Sequence, residues 1–161
     1  MEKTPTFDEF LGKIEKLKEN AGADLSTAED LSIAVMNLIS LEEHFYFTGE
    51  KTRNDEYFDM AGDIREVRKK LLQDLMPNHE GETWCISKHL LASTMRLIEV
   101  GNKLLSEGKR AEAHGMFDKA YRVYSIFWAL KLKLITIKKG ESKFNTKLED
   151  LVTKLAECCD E

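Results

Sequence analysis

Proline is nearly missing from this chain: Pro5 and Pro77 are the only two among 161 residues. Proline removes a backbone donor and clashes with the preceding turn, so its scarcity leaves long stretches in which helices can propagate. Strict polar–apolar alternation is missing too, and Phe45-Tyr46-Phe47 is too short to argue for a strand. There is no run of about 18 apolar residues, so no membrane span is expected. The opening Met1-Glu2-Lys3-Thr4-Pro5 has none of the apolar character of a signal peptide. Cysteine is sparse and odd in number, Cys85 standing alone and Cys158-Cys159 adjacent. Without the spacing of a disulfide framework, this usage leads us to expect a reducing, cytoplasmic setting. Nor is there a basic excess: 24 Lys and Arg face 29 Asp and Glu, which disfavours a protein built to coat nucleic acid. A glycine-rich phosphate loop and a nucleophile elbow are both lacking, so no cofactor is expected.

What is present is the composition of a folded domain, 42% hydrophobic and 33% charged. A chain of this length supports one core better than two. Apolar residues return every three to four positions over six segments, the period of a helix buried on one face. The first, about 6–18, carries Phe7, Phe10, Leu11, Ile14 and Leu17, with Thr6 and Glu9 in capping-box spacing. The second starts at Ser26 or Thr27 and reaches about Phe47, stopped by Thr48-Gly49. Its centre, Leu31 to Leu41, is apolar nearly all round, which predicts a helix central in its bundle. The third spans about Asn54 to Met76 and is closed by Pro77; the fourth spans about Thr83 to Glu107 and is broken by Gly108. The fifth runs from Arg110 to about Lys138, with Lys131, Lys133, Lys138 and Lys139 suited to the negative end of its dipole. The sixth is about 146–158. The expected fold is a single all-α domain: an antiparallel four-helix-bundle-like core over about 26–139, with an extra helix at each end, about 6–19 and 146–158.

Within that core, Gly101, Gly108, Ala113, Phe117 and Ala120 fall at the offsets of a tetratricopeptide-type helical hairpin, with Leu97 where that family often has an aromatic. Residues 97–121 therefore resemble one such hairpin, about a sixth of the chain. The resemblance implies small residues where two helices touch and an aromatic filling the gap between them; it brings no catalytic residues. A solenoid needs three or more repeats, and no second copy is visible.

Candidate chemistry is concentrated on two helices. On the fourth, Cys85, His89, Ala92, Arg96, Glu99 and Lys103 recur at three- and four-residue spacing and share a side, where local Arg96–Glu99 and Glu99–Lys103 pairs are expected. On the second, Glu42 interrupts the stripe Leu31, Val35, Leu38, Phe45. A carboxylate buried there without a partner costs several kcal/mol, so Glu42 needs a cation; Arg96 and Lys88 are the expected donors. The candidate metal ligands are Glu43, Cys85 and His89, and a candidate hydrolytic site combines Glu42, Asp59 and Asp63 with Arg96 and Lys103. Neither the paired Glu-x-x-His elements of di-iron bundles nor the Glu-x-x-Glu of helical nucleotide pyrophosphatases is present, so no metal is expected. Arg110 and His114 are similar in spacing to the Arg and His of HEPN-type ribonucleases, but lack the polar residue that follows the Arg in that family. Trp84, Trp128, Tyr121, Tyr124 and Phe127 read as core. The six lysines of 131–147 read as a solvated helix end. The function expected on balance is a non-enzymatic module that binds another protein or a second copy of itself, because the second and fifth helices carry more apolar surface than two flanking helices cover. A small metal-dependent nucleotide hydrolase or HEPN-like ribonuclease is the alternative.

Overall fold

The computed structural model describes residues 12, 25–77, 79 and 82–134. The expected helices at 6–19, apart from residue 12, and at 146–158 and the stretch 135–139 lie outside these residues. Four helices make up the described chain, α1 (Leu25–Thr52), α2 (Glu56–Leu75), α3 (Thr83–Ser106) and α4 (Arg110–Lys131), and they pack as an all-α bundle.

Short reversals fold the chain into two antiparallel hairpins, α1 with α2 and α3 with α4, and each reversal depends on a left-handed residue. Gly108 (φ 78°) ends α3: the Lys109 amide donates to the Leu104 carbonyl at 2.9 Å and the Gly108 amide to Leu105 at 3.0 Å. This pair of bonds satisfies carbonyls that a helix end otherwise leaves open. The same pattern closes α4 at Lys133 (φ 55°), with Leu134 donating to Ala129 and Lys133 to Leu130. The fifth helix of the sequence reading thus ends at Lys131 and not at Lys138. A lysine in the left-handed region gives no sequence cue, since only glycine and asparagine adopt it readily. At the end of α1 it is Arg53 (φ 55°) that turns the chain, its amide donating to Gly49 at 2.8 Å.

Gly49 itself corrects the expectation that Thr48-Gly49 stops this helix. It lies buried inside α1, under the ring of Phe58; a Cβ there would stand 2.8 Å from that ring. The residue is used for its lack of bulk, and the helix continues through it. The second hairpin repeats the device, with Gly101 of α3 beneath the Phe117 ring of α4 and Ala113 and Ala120 buried alongside. Small residues let helix axes approach closely, and the aromatic ring fills the space that remains.

The hairpins join mainly through α1 and α3. Their shared core gathers Val35 and Met36 of α1, Leu72 and Leu75 of α2 with the adjoining Met76, Leu91 of α3 and Phe127 of α4; Trp84, Met95, Tyr124 and Trp128 pack around it. As the apolar centre of its sequence predicts, α1 is central: it packs on α2 and α3, and Ser32 reaches the Tyr124 hydroxyl of α4 at 2.6 Å. Ser32 spends its only proton on the Glu29 carbonyl (2.7 Å), so Tyr124 is the donor in that pair. By contrast α4 packs chiefly on α3, which leaves Tyr121 and Ile126 on the surface. Lys131 is the last residue of α4, and its side chain reaches across to the first hairpin. Its Nζ donates to the Leu75 carbonyl at the end of α2 (2.6 Å), and burial holds its pKa below the ordinary lysine value.

Candidate functional site

Glu42 finds its cations within its own hairpin, not on α3 as expected. Arg68 Nε donates to Oε1 at 2.7 Å and its Nη2 to Oε2 at 3.3 Å, while Arg65 Nε reaches Oε2 at 3.2 Å. Arg65 and Arg68 are three apart on α2 and so share the side that meets α1. The Arg68 side chain is only 2% exposed and Glu42 13%. A two-pronged guanidinium–carboxylate pair fits such a position because its fixed fork satisfies both oxygens. Such a pair holds two helices in one register.

The remaining candidates do not assemble around it. Arg96 pairs with Glu43 across α1 and α3 at 2.9 Å, with both side chains about half exposed, in place of the local pair with Glu99. Glu99 and Lys103 are exposed on α3, and Asp59 and Asp63 are exposed on α2. Cys85 is buried and forms no disulfide, whereas His89, one turn on, is exposed. Among the described residues no three His, Cys, Asp or Glu side chains are grouped to hold an ion. Arg110 and His114 are both exposed, with the His114 ring edge-on to Phe117. The expected aromatic core is found in Phe127, Tyr124, Trp84 and Trp128; Tyr121 is the exception and faces solvent.

The feature that sequence reasoning passed over is aromatic. At the closed end of the first hairpin, Tyr46 and Phe47 stand edge to face at 5.4 Å, Tyr46 meets Phe58 at 6.2 Å and Phe45 meets Tyr57 at 6.3 Å. Tyr46 is 53% and Phe47 61% exposed. The signal was the run Phe45-Tyr46-Phe47 itself: consecutive helical residues point about 100° apart, so three aromatics in a row cannot all be buried on one face. Exposed apolar residues continue along the outer helices, Met60 and Val67 on α2, Tyr121 and Ile126 on α4.

Charge divides between the hairpins. Residues 25–77 hold eleven acids and six Lys or Arg, while residues 83–134 hold four acids and nine Lys or Arg. The overall charge of −5 therefore conceals an acidic hairpin joined to a basic one. No helix of the described chain is long and apolar enough to cross a membrane. No protein family, characterised protein or solved structure matches the chain.

Proposed function

We propose that this protein is a non-enzymatic, protein-binding helical module of the cytoplasm, whose apolar surface docks on another polypeptide. The observation that carries this reading is the Tyr46–Phe47 pair, two large rings side by side and each more than half exposed. Aromatic side chains held by packing lose little freedom on association and dominate interface energetics, so a rigid exposed pair suits a contact surface. The close Gly101–Phe117 contact supports reading α3 and α4 as a tetratricopeptide-like hairpin, a scaffold suited to presenting such surfaces. That buried Cys85 forms no disulfide accords with a reducing compartment. Among the described residues no three His, Cys, Asp or Glu side chains are grouped to hold a metal ion, which gives the metal-dependent hydrolytic alternative no support.

A photo-crosslinking test addresses the reading directly. Phe47 is replaced by a benzophenone-bearing amino acid in the full chain, with the same group at exposed Asn102 as control, and both are irradiated in cells. Discrete polypeptide adducts at position 47, absent at 102, are the expected result. Equal, diffuse labelling at both positions would remove the basis for a docking surface.

A further inference from the structure

We infer that the partner docks through a segment in which arginine stands beside an apolar side chain, seated on the aromatic tip of the first hairpin. This rests on the protein-binding reading above and names the chemistry of the occupant. The tip combines ring surface with carboxylates. Tyr46 meets Phe58 edge to face at 6.2 Å, and Phe47 stands against Tyr46 at an interplanar angle of 72°, so packing fixes both exposed rings. Asp55, Glu56 and Asp59 are exposed at the start of α2, in the same run of chain as Tyr57 and Phe58. Asp55 has helical backbone angles and lies one turn from both Phe58 and Asp59. Residues so spaced share a side, so the two aspartates stand beside the ring that supports Tyr46.

Charge at the tip selects a cationic partner once every charged group there is counted. Residues 43–60 hold five acids and two bases, with His44 neutral. Glu43 is neutralised by Arg96 of α3 and Glu50 by Arg53, while further along α2 both Arg65 and Arg68 are engaged by Glu42. What is left is Asp55, Glu56 and Asp59 against Lys51, and none of these four forms an ion pair among the described residues. The helix dipole favours carboxylates at this end of α2 but does not cancel their charge. A rim of that sign repels a phosphate backbone or an anionic lipid surface. Arginine fits both parts of the site. Its planar guanidinium stacks on an aromatic face and forks onto a carboxylate, which the compact ammonium of lysine does not match. An apolar neighbour is needed as well, because two rings more than half exposed present more apolar surface than one guanidinium covers.

Selection from displayed random peptides tests this chemistry. Full-length protein is immobilised, short random peptides are selected on it, and those that also bind the Phe47→Ser protein are discarded. Phe47, Asp55 and Asp59 are all exposed, and far-ultraviolet circular dichroism and a melting curve check that each variant folds. The expected survivors carry arginine next to an aliphatic or aromatic residue. One survivor, synthesised with a fluorescent label, is then measured by anisotropy. It is expected to bind Phe47→Ser at least about tenfold more weakly than wild type, and the Asp55→Asn, Asp59→Asn double variant at least about threefold more weakly. Replacing its arginine by citrulline, which keeps the shape and removes the charge, should weaken binding to a similar extent. Survivors that are acidic or uncharged, or no survivors at all, overturn the proposal. The two readings part cleanly: specific polypeptide adducts at position 47 alongside such a result sink the arginine-bearing segment and leave the protein-binding reading standing. A wild-type chain that sediments as a dimer, and as a monomer once Phe47→Ser is made, seats a second copy on the patch and overturns the proposal too.

Discussion

The two hairpins solve one packing problem with different chemistry. Both seat a phenylalanine ring over a glycine, Phe58 on Gly49 and Phe117 on Gly101. The first adds a buried ionic clamp, Arg68 and Arg65 on Glu42, and spends its aromatics at an exposed tip. The second lines its helix contact with small residues, Gly101, Ala113 and Ala120, and holds the fully buried Phe127 in the shared core. The ionic clamp specifies register by geometry, the small-residue contact by closeness of approach. Specificity by charge is costly to break from one side, while specificity by closeness is sensitive to a single added methyl group.

Breaking the clamp is expected to produce the largest effect. Arg68→Ala leaves the Glu42 carboxylate poorly solvated and without its two-pronged donor, a loss of about 3 kcal/mol in chemical denaturation. Arg96→Ala, which breaks the half-exposed pair with Glu43, should lose no more than about 1 kcal/mol. If the Arg68→Met, Glu42→Leu double variant recovers most of the loss, the clamp supplies register more than stability.

The glycines come next. Gly101→Ala drives a methyl group into the Phe117 ring, and Gly49→Ala brings one to 2.8 Å from Phe58. Overpacking should outweigh the better helix propensity of alanine, with losses of about 1–3 kcal/mol, the greater at Gly101. Gly62→Ala and Gly115→Ala place the same methyl in open space and should instead raise the melting temperature, by a free energy of about 0.5–1 kcal/mol. A Gly101→Ala protein as stable as wild type would show that the second hairpin does not depend on close approach.

Two buried serines sharpen the contrast further. Ser32→Ala takes away the acceptor of the Tyr124 hydroxyl and should lose about 1 kcal/mol. The Ser87 hydroxyl is buried with no hydrogen-bond partner, so Ser87→Ala should be neutral or slightly stabilising.

The smallest effect is a pH dependence at Lys131. Burial lowers its pKa in the folded chain from the ordinary 10.5. Below both values the ammonium is charged in either state and its desolvation counts against folding. As pH rises from the lowered value towards 10.5 the unfolded chain binds more protons, so this group adds stability with rising pH. Lys131→Met should flatten that rise in alkaline denaturation curves, while leaving the Leu75 carbonyl without this donor.

Much of the framework was legible beforehand for identifiable reasons. Gly108 marks a helix end by its left-handed backbone and Pro77 by its missing amide donor, and both ends fall within a residue or two of where they are expected. The end of α4 was not legible, because Lys133 adopts a left-handed conformation that its residue type does not announce. Nor was the role of Gly49, since a glycine that stops a helix and one that admits a ring look alike in a sequence. The cation need of Glu42 followed from its stripe, yet the choice of Arg68 over Arg96 depends on which helix face turns toward α1.

The sequence alone, then, determined the elements: apolar residues at helical period, two prolines and a few turn-forming residues leave helices as the economical way to hide this much apolar surface. Tertiary structure decided the pairings, which charge meets Glu42, which ring covers which glycine, and which aromatics stay exposed at the hairpin tip. Periodicity is a property of one helix and is written along the chain, whereas a contact between helices depends on their relative rotation and separation, which no single segment encodes.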